Sequence, residues 1–153
     1  MSDDGLSDLL TPGEWAMAPG ERAALLGIVA ALRPRMAIEI GTWSGGSLEP
    51  ISTWSDEVHS FDIKQHPRVT RARFPNVTFH IGDSHQLLPP FLARLAAAQR
   101  NVDFVLVDGD HSMTGVVADV LDLLESESVG TTVILLHDTL NESVRAEIGR
   151  AHV

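Results

Sequence analysis

Carboxylates recur in this chain wherever a short apolar run ends. Glu39 lies in the run Met36 to Ile40, and Asp62 closes Val58 to Phe61. Asp83 follows Val77 to Ile81, Asp108 closes Asp103 to Val107, and Asp138 follows Thr131 to Leu136. The last two stand beside histidines, in Asp108-Gly109-Asp110-His111 and His137-Asp138-Thr139. After the first run comes Gly41-Thr42-Trp43-Ser44-Gly45-Gly46-Ser47. Gly41 lets the backbone turn sharply where a Cβ would clash, and Gly45 and Gly46 let a ligand approach bare backbone. Ser47 leads into a helix start, whose first amides are unpaired and carry partial positive charge. A strand, a glycine-rich turn and a helix start make a nucleotide-type binding corner.

The elements that must hold these residues follow from the apolar pattern. Residues 1–18 are polar and acidic and read as an arm, with Trp15 and Met17 either stapling it to the body or covering a cleft. Residues 19–153 read as one domain. Leu25, Ile28, Val29 and Leu32 repeat at helical spacing after Pro19-Gly20-Glu21, and Arg33-Pro34 ends that helix. Five apolar runs of strand length then alternate with helical stretches at about 45–54, 67–74, from Pro89-Pro90 onward, and along Val117, Val120, Leu121 and Leu124. Asn141 caps a last short helix in this reading. Alternating strands and helices imply a parallel sheet covered on both faces, with right-handed crossovers. In such a sheet the carboxyl ends of the strands form one rim where ligands bind. A single acid at a strand end is often only a helix cap, as Asp83 or Ser84 would be. Five in register with a glycine corner are expected to converge on one edge.

Composition narrows the ligand. The net charge is −10 and Lys64 is the only lysine, so nucleic-acid backbone and anionic membrane are repelled. The cluster Arg68, Arg71 and Arg73 reads as solvated surface. No apolar run reaches the roughly 18 to 20 residues of a membrane helix. The acidic N-terminus argues against a standard signal peptide, and the absence of cysteine excludes disulfides and thiolate metal sites. A small-molecule ligand and a cytoplasmic location are expected. The glycine spacing G-x-x-x-G-G puts Trp43 where a dinucleotide fingerprint needs its middle glycine, and the chain has no tyrosine for a short-chain dehydrogenase. An NAD-dependent oxidoreductase is therefore the weaker alternative.

The motifs together resemble class I S-adenosylmethionine-dependent methyltransferases over nearly the whole chain. They are most similar to small-molecule O-methyltransferases of the macrocin and mycinamicin type. Ile38 to Ser47 matches the first motif, Phe61-Asp62-Ile63 the second and Gly82-Asp83-Ser84 the third. Val107 to Ser112 and Leu136 to Thr139 match the two motifs that build the reaction site in that group. The resemblance implies a Rossmann-like three-layer α/β/α fold with a mostly parallel sheet in the order 3-2-1-4-5. The family's usual sixth and seventh strands are absent from this chain, so a second copy or a further segment is expected to cover strand five.

The resemblance also implies roles. The turn of Gly41, Thr42, Trp43, Ser44, Gly45 and Ser47 holds the methionine part of S-adenosylmethionine. Asp62 takes the ribose hydroxyls, and Asp83 with Ser84 addresses the adenine. Glu39 orients the loop or neutralises the cofactor's ammonium, and an acidic rim favours the cationic sulfonium. Asp108 and His111 are the expected catalytic residues, with His111 as the base for the acceptor hydroxyl and Asp110 competing for that role. Metal-dependent members would hold Mg²⁺ or another divalent cation on Asp108, His137 and Asp138. His137 departs from an all-oxygen set, since imidazole suits transition metals. It stands as a ligand, a group behind the ligands or an acceptor contact. The function implied is methyl transfer to a hydroxyl oxygen of a sugar or natural-product scaffold. A non-catalytic cofactor-binding module or truncated remnant is the alternative from another class. His59, His66, His80 and His152 carry no role in this reading, and His85 is expected at the surface near the third motif.

Overall fold

Strand β1 (Met36–Ile40) is buried at every position, as expected of the middle strand of a sheet with helices on both faces. The structure, a computed structural model, describes residues 17–109 and 113–137. The other strands are β2 (Glu57–Asp62), β3 (Val77–Ile81), β4 (Phe104–Val107) and β5 (Val133–Leu136). Their order is β3-β2-β1-β4-β5, and every neighbouring pair is parallel. The chain leaves β1 toward β2 on one side and returns to β4 on the other. That reversal opens a crevice at the carboxyl ends of β1 and β4.

Side-chain alternation along the strands divides the core in two. Met36, Ile38 and Ile40 of β1, with Val105 and Val107 of β4, pack against helix α3 (Ser84–Ala97) and Leu123 of helix α4 (Met113–Leu124). Ala37, Phe104 and Leu106 pack on the opposite face against helices α1 (Pro19–Leu32) and α2 (Leu48–Trp54). The predicted three-layer architecture and strand order are both present.

Four local expectations are corrected. Helix α2 begins at Leu48 rather than near Gly45, because Gly45 has φ +85° and its amide closes a turn onto the Thr42 carbonyl at 2.8 Å. Residues 67–74 form no helix. Two turns, Val69 N–H to His66 O and Phe74 N–H to Thr70 O, replace it, and Val69 and Phe74 are anchored against Gly45. An isolated run this short does not sustain a helix unaided. Helix α3 starts at Ser84, where the Asp83 carboxylate accepts from His85 N–H at 3.0 Å. Pro89 and Pro90 lie inside it and cannot donate to the carbonyls of His85 and Gln86. On α4 the buried face is Val116, Asp119, Val120 and Leu123, while Leu121 and Leu124 are exposed. Trp15 and the helix expected at Asn141 lie outside the described residues.

Between β2, β3 and α3 sits a histidine cluster. His59 Nε2 bonds Glu57 Oε1 at 2.8 Å, and His59 Nδ1 meets His80 Nε2 at 3.0 Å. The His80 ring stacks on Phe61 with centroids 4.3 Å apart. An N–H···N bond of this kind needs at least its acceptor ring to be neutral. Burial pushes His80 down to about 4, with the nearby His59 and Arg94 acting the same way. Burial also lowers His59, against the opposing pull of Glu57. An unfolded His80 binds its proton below about 6.5, while the folded one waits until about 4. The unfolded state thus holds more protons in that window, and stability falls as the pH drops through it. Urea denaturation of His80→Gln across pH 6.5 to 4 should show a shallower loss of midpoint than the parent. An unchanged slope would remove His80 as the source.

Candidate functional site

Gly41 sets the geometry at the crevice. Its φ is +86°, its amide donates to Phe61 O at 2.8 Å, and a Cβ there would stand 2.2 Å from Asp108 O. Asp108 N–H in turn donates to Ile40 O at 2.8 Å. The carboxyl ends of β1, β2 and β4 are thereby joined backbone to backbone. No other residue type fits at position 41.

Beyond it the turn wraps onto Asp62. One carboxylate oxygen, Oδ2, accepts from Thr42 N–H at 2.9 Å and Trp43 N–H at 2.8 Å, and Oδ1 accepts from Lys64 N–H at 3.1 Å. Trp43 holds φ +43°, a left-handed conformation that a bulky residue adopts only under constraint. The bond to Asp62 supplies that constraint and leaves Trp43 60% exposed at the cavity wall.

Glu39 lies behind this turn, fully buried on the face of α1 and α2. Ser47 Oγ donates to its Oε1 at 2.6 Å, so Ser47 does not cap α2 with its side chain. Burial pushes the Glu39 carboxyl up to about 8. The hydroxyls of Ser47 and Thr42 pull it down, and the negative fields of Asp108 and Asp62 add to the rise. Glu39 is therefore protonated at neutral pH.

On the other side of Gly41, Asp108 Oδ1 lies 2.8 Å from His137 Nδ1. His137 Nε2 lies 3.2 Å from Glu21 Oε2, in the first turn of α1. Glu21 is itself held below its usual range, first by the Ala18 amide and then by His137. Nothing in the spacing of the sequence points to Glu21, which is 116 positions from its partner.

A cavity of about 850 Å³ lies among these elements at the carboxyl ends of the strands. Gly41, Thr42, Trp43, Ser47, Asp62, Asp83, Ser84, Asp108 and His137 all line it. Glu39, Ser44 and Gly45 are buried outside the lining. His111, Asp110 and Asp138 lie outside the described residues. His85, expected at the surface, lines the cavity instead, and so do His66, Ile63 and Met17. Met17 is also part of the core against α1 and α2, so it both staples its segment and closes the cavity. Among the described residues, no three His, Asp or Glu side chains are grouped to hold a metal ion. None of the described helices is long and apolar enough to cross a membrane.

A family model described as a methyltransferase domain matches residues 38–139, two-thirds of the chain. The chain belongs to this methyltransferase family. Its fold is also that of solved methyltransferases. The MycE methyltransferase of the mycinamycin biosynthetic pathway, in complex with Mg and SAH, superposes with a TM-score of 0.60 at 19% identity. That match covers 88% of this chain and 36% of MycE. MycE with Mg, SAH and mycinamycin VI gives 0.58 at 18% identity, covering 92% of this chain and 37% of MycE. An O-methyltransferase from Bacillus cereus in complex with SAH gives 0.57 at 16% identity, covering 99% of this chain and 78% of that one. The chain thus spans little more than a third of MycE. No curated protein matches the chain in sequence.

In this methyltransferase the buried Glu39 has a measurable signature. Folded, it keeps a proton that the unfolded chain releases above about 4.5. Its contribution therefore declines as pH rises from 4.5 toward 8. Glu39→Gln keeps an acceptor for Ser47 and has no proton to lose. Its melting temperature relative to the parent should rise steadily between pH 5 and pH 8. A constant difference across that range would mean that Glu39 is ionised in the fold.

Proposed function

We propose that this methyltransferase moves a methyl group to a hydroxyl oxygen of a small molecule of sugar or natural-product type. One observation carries the reading: Asp62, Asp83 and Asp108, from three different strand ends, line a single cavity beside the glycine turn. S-adenosylmethionine, when bound, supplies a methyl on a positively charged sulfur, and a negative rim favours such a cation. The cavity volume is in the range of small-molecule sites. Asp62, aimed by three backbone amides, would accept from the ribose hydroxyls. Asp83 and Ser84 would face the base. Gly41, Thr42, Trp43, Ser44, Gly45 and Ser47 would shape the wall for the methionine part, with Glu39 bracing it from behind through Ser47.

The acceptor end would lie at Asp108 and His137. Their facing atoms are 2.8 Å apart, so one small cation could take both side chains as ligands. Asp138, adjacent in sequence to His137, would complete the set. The Mg in the MycE complexes supports a divalent ion, and the imidazole of His137 widens the choice to transition metals. Such an ion would supply Lewis acidity toward the acceptor hydroxyl. His111, three residues after Asp108, would take the hydroxyl proton. The acceptor class is supported by the MycE complex with mycinamycin VI and by the Bacillus cereus O-methyltransferase. A cytoplasmic location and a second copy covering the β5 edge, where Val133 is exposed, belong to the same reading.

The test is transfer of labelled methyl from S-adenosylmethionine to a panel of hydroxylated sugars and macrolides. Turnover should stop with a chelator and return with Mg²⁺ or Mn²⁺. His111→Ala should lower kcat by about 10² to 10⁴ with little change in donor affinity. Full activity in His111→Ala would remove it as the base. Donor binding without turnover on any hydroxyl would favour the binding-module alternative.

A further inference from the structure

Helix α4 carries an acid on its core face. Asp119 is fully buried between Val116, Val120 and Leu123. A carboxylate is costly to bury unless it is paired. Its Oδ1 accepts from Ser84 Oγ at 3.0 Å and lies 3.3 Å from His85 Nδ1. One turn further on, Asp122 Oδ2 comes within 3.7 Å of the same nitrogen. Ser84 and His85 are the first two residues of α3, and both line the cavity next to Asp83. A side chain from the helix after β4 thus fixes two side chains on the helix after β3.

The contact also dictates where the His85 proton sits. Nδ1 is closed off from solvent, makes no hydrogen bond within ordinary limits, and has two carboxylates as its charged neighbours, at 3.3 and 3.7 Å. A lone pair there would meet only negative charge, so Nδ1 carries a proton. In the neutral ring Nε2 then keeps its lone pair. With Nδ1 turned toward the acids, Nε2 is the ring nitrogen on the side away from them, in a residue that lines the cavity.

We propose that Asp119 is a positioning residue that locks His85 with its proton on Nδ1, so that Nε2 accepts a hydrogen bond from an amino-bearing base. The pair would select the adenine of the methyl donor over an oxo-bearing purine. This rests on the methyl-donor reading above.

Two measurements test it. The ¹⁵N spectrum of the histidine rings of the wild-type protein at pH 8, with His85 assigned through His85→Ala, should show Nδ1 protonated and Nε2 bare. Calorimetry should show S-adenosylhomocysteine binding roughly tenfold or more tightly than S-inosylhomocysteine. Asp119→Leu should bring that ratio close to one, as should His85→Ala. The double variant should add nothing to either single change. A His85 protonated on Nε2 overturns the proposal, and the wild-type spectrum decides alone if Asp119→Leu does not fold. Equal weakening of both nucleosides in Asp119→Leu, with the ratio intact, also overturns it and leaves Asp119 a structural role. If the wild type binds neither nucleoside, the methyl-donor reading itself fails and this proposal falls with it.

Discussion

Between the loops that follow β1 and β4 there is no space for a side chain. The backbone of Gly41 runs against the carbonyl of Asp108, where even a methyl group would sit at 2.2 Å. The amide of Gly41 is tied to Phe61 at the end of β2, and the amide of Asp108 to Ile40 at the end of β1. Three strand ends are therefore held in one place by main-chain bonds. From that point the turn runs over Asp62, whose carboxylate collects the amides of Thr42 and Trp43. The left-handed Trp43 and the position of the acidic rim both follow from this close approach.

A protein with a net charge of −10 that gathers acids at one rim must keep them from repelling each other. It does so differently at each position. Glu39 is buried and holds a proton. Asp62 is surrounded by backbone N–H groups. Asp108 faces an imidazole that meets Glu21 on its other edge. Asp119, behind the rim and as buried as Glu39, faces Ser84 and His85. The result is a rim whose negative charge is oriented by the fold, a setting that receives a cation without first having to rearrange.

Much of this was legible in the sequence because each strand is a short apolar run that ends in an acid. Parity of side chains does the rest, and Asp62, Asp83 and Asp108 meet as their spacing implies. The illegible parts are those in which a distant contact outweighs a local signal. Pro89 and Pro90 look like a helix start, yet the Asp83 cap begins α3 at Ser84. Asp119 looks like a solvent-facing residue, which shifts the apparent apolar stripe of α4 onto Leu121 and Leu124. Its partner His85 lies on another helix, so no spacing rule connects them. Glu39 belongs to the glycine motif by position, but the two-residue period of β1 turns it away from the cavity into the core. The joining of Glu21 to His137 depends on α1 packing beside β5's end, which no local pattern encodes.

The central claim is that the strand-end acids and the glycine turn form the seat of an S-adenosyl group. A crystal structure with S-adenosylhomocysteine tests it most directly. The account predicts the ribose hydroxyls on Asp62, the base beside Asp83 and Ser84, and the amino-acid end against the turn from Gly41 to Ser47. A nucleoside bound anywhere else on the molecule, or an empty cavity at millimolar ligand, would contradict it.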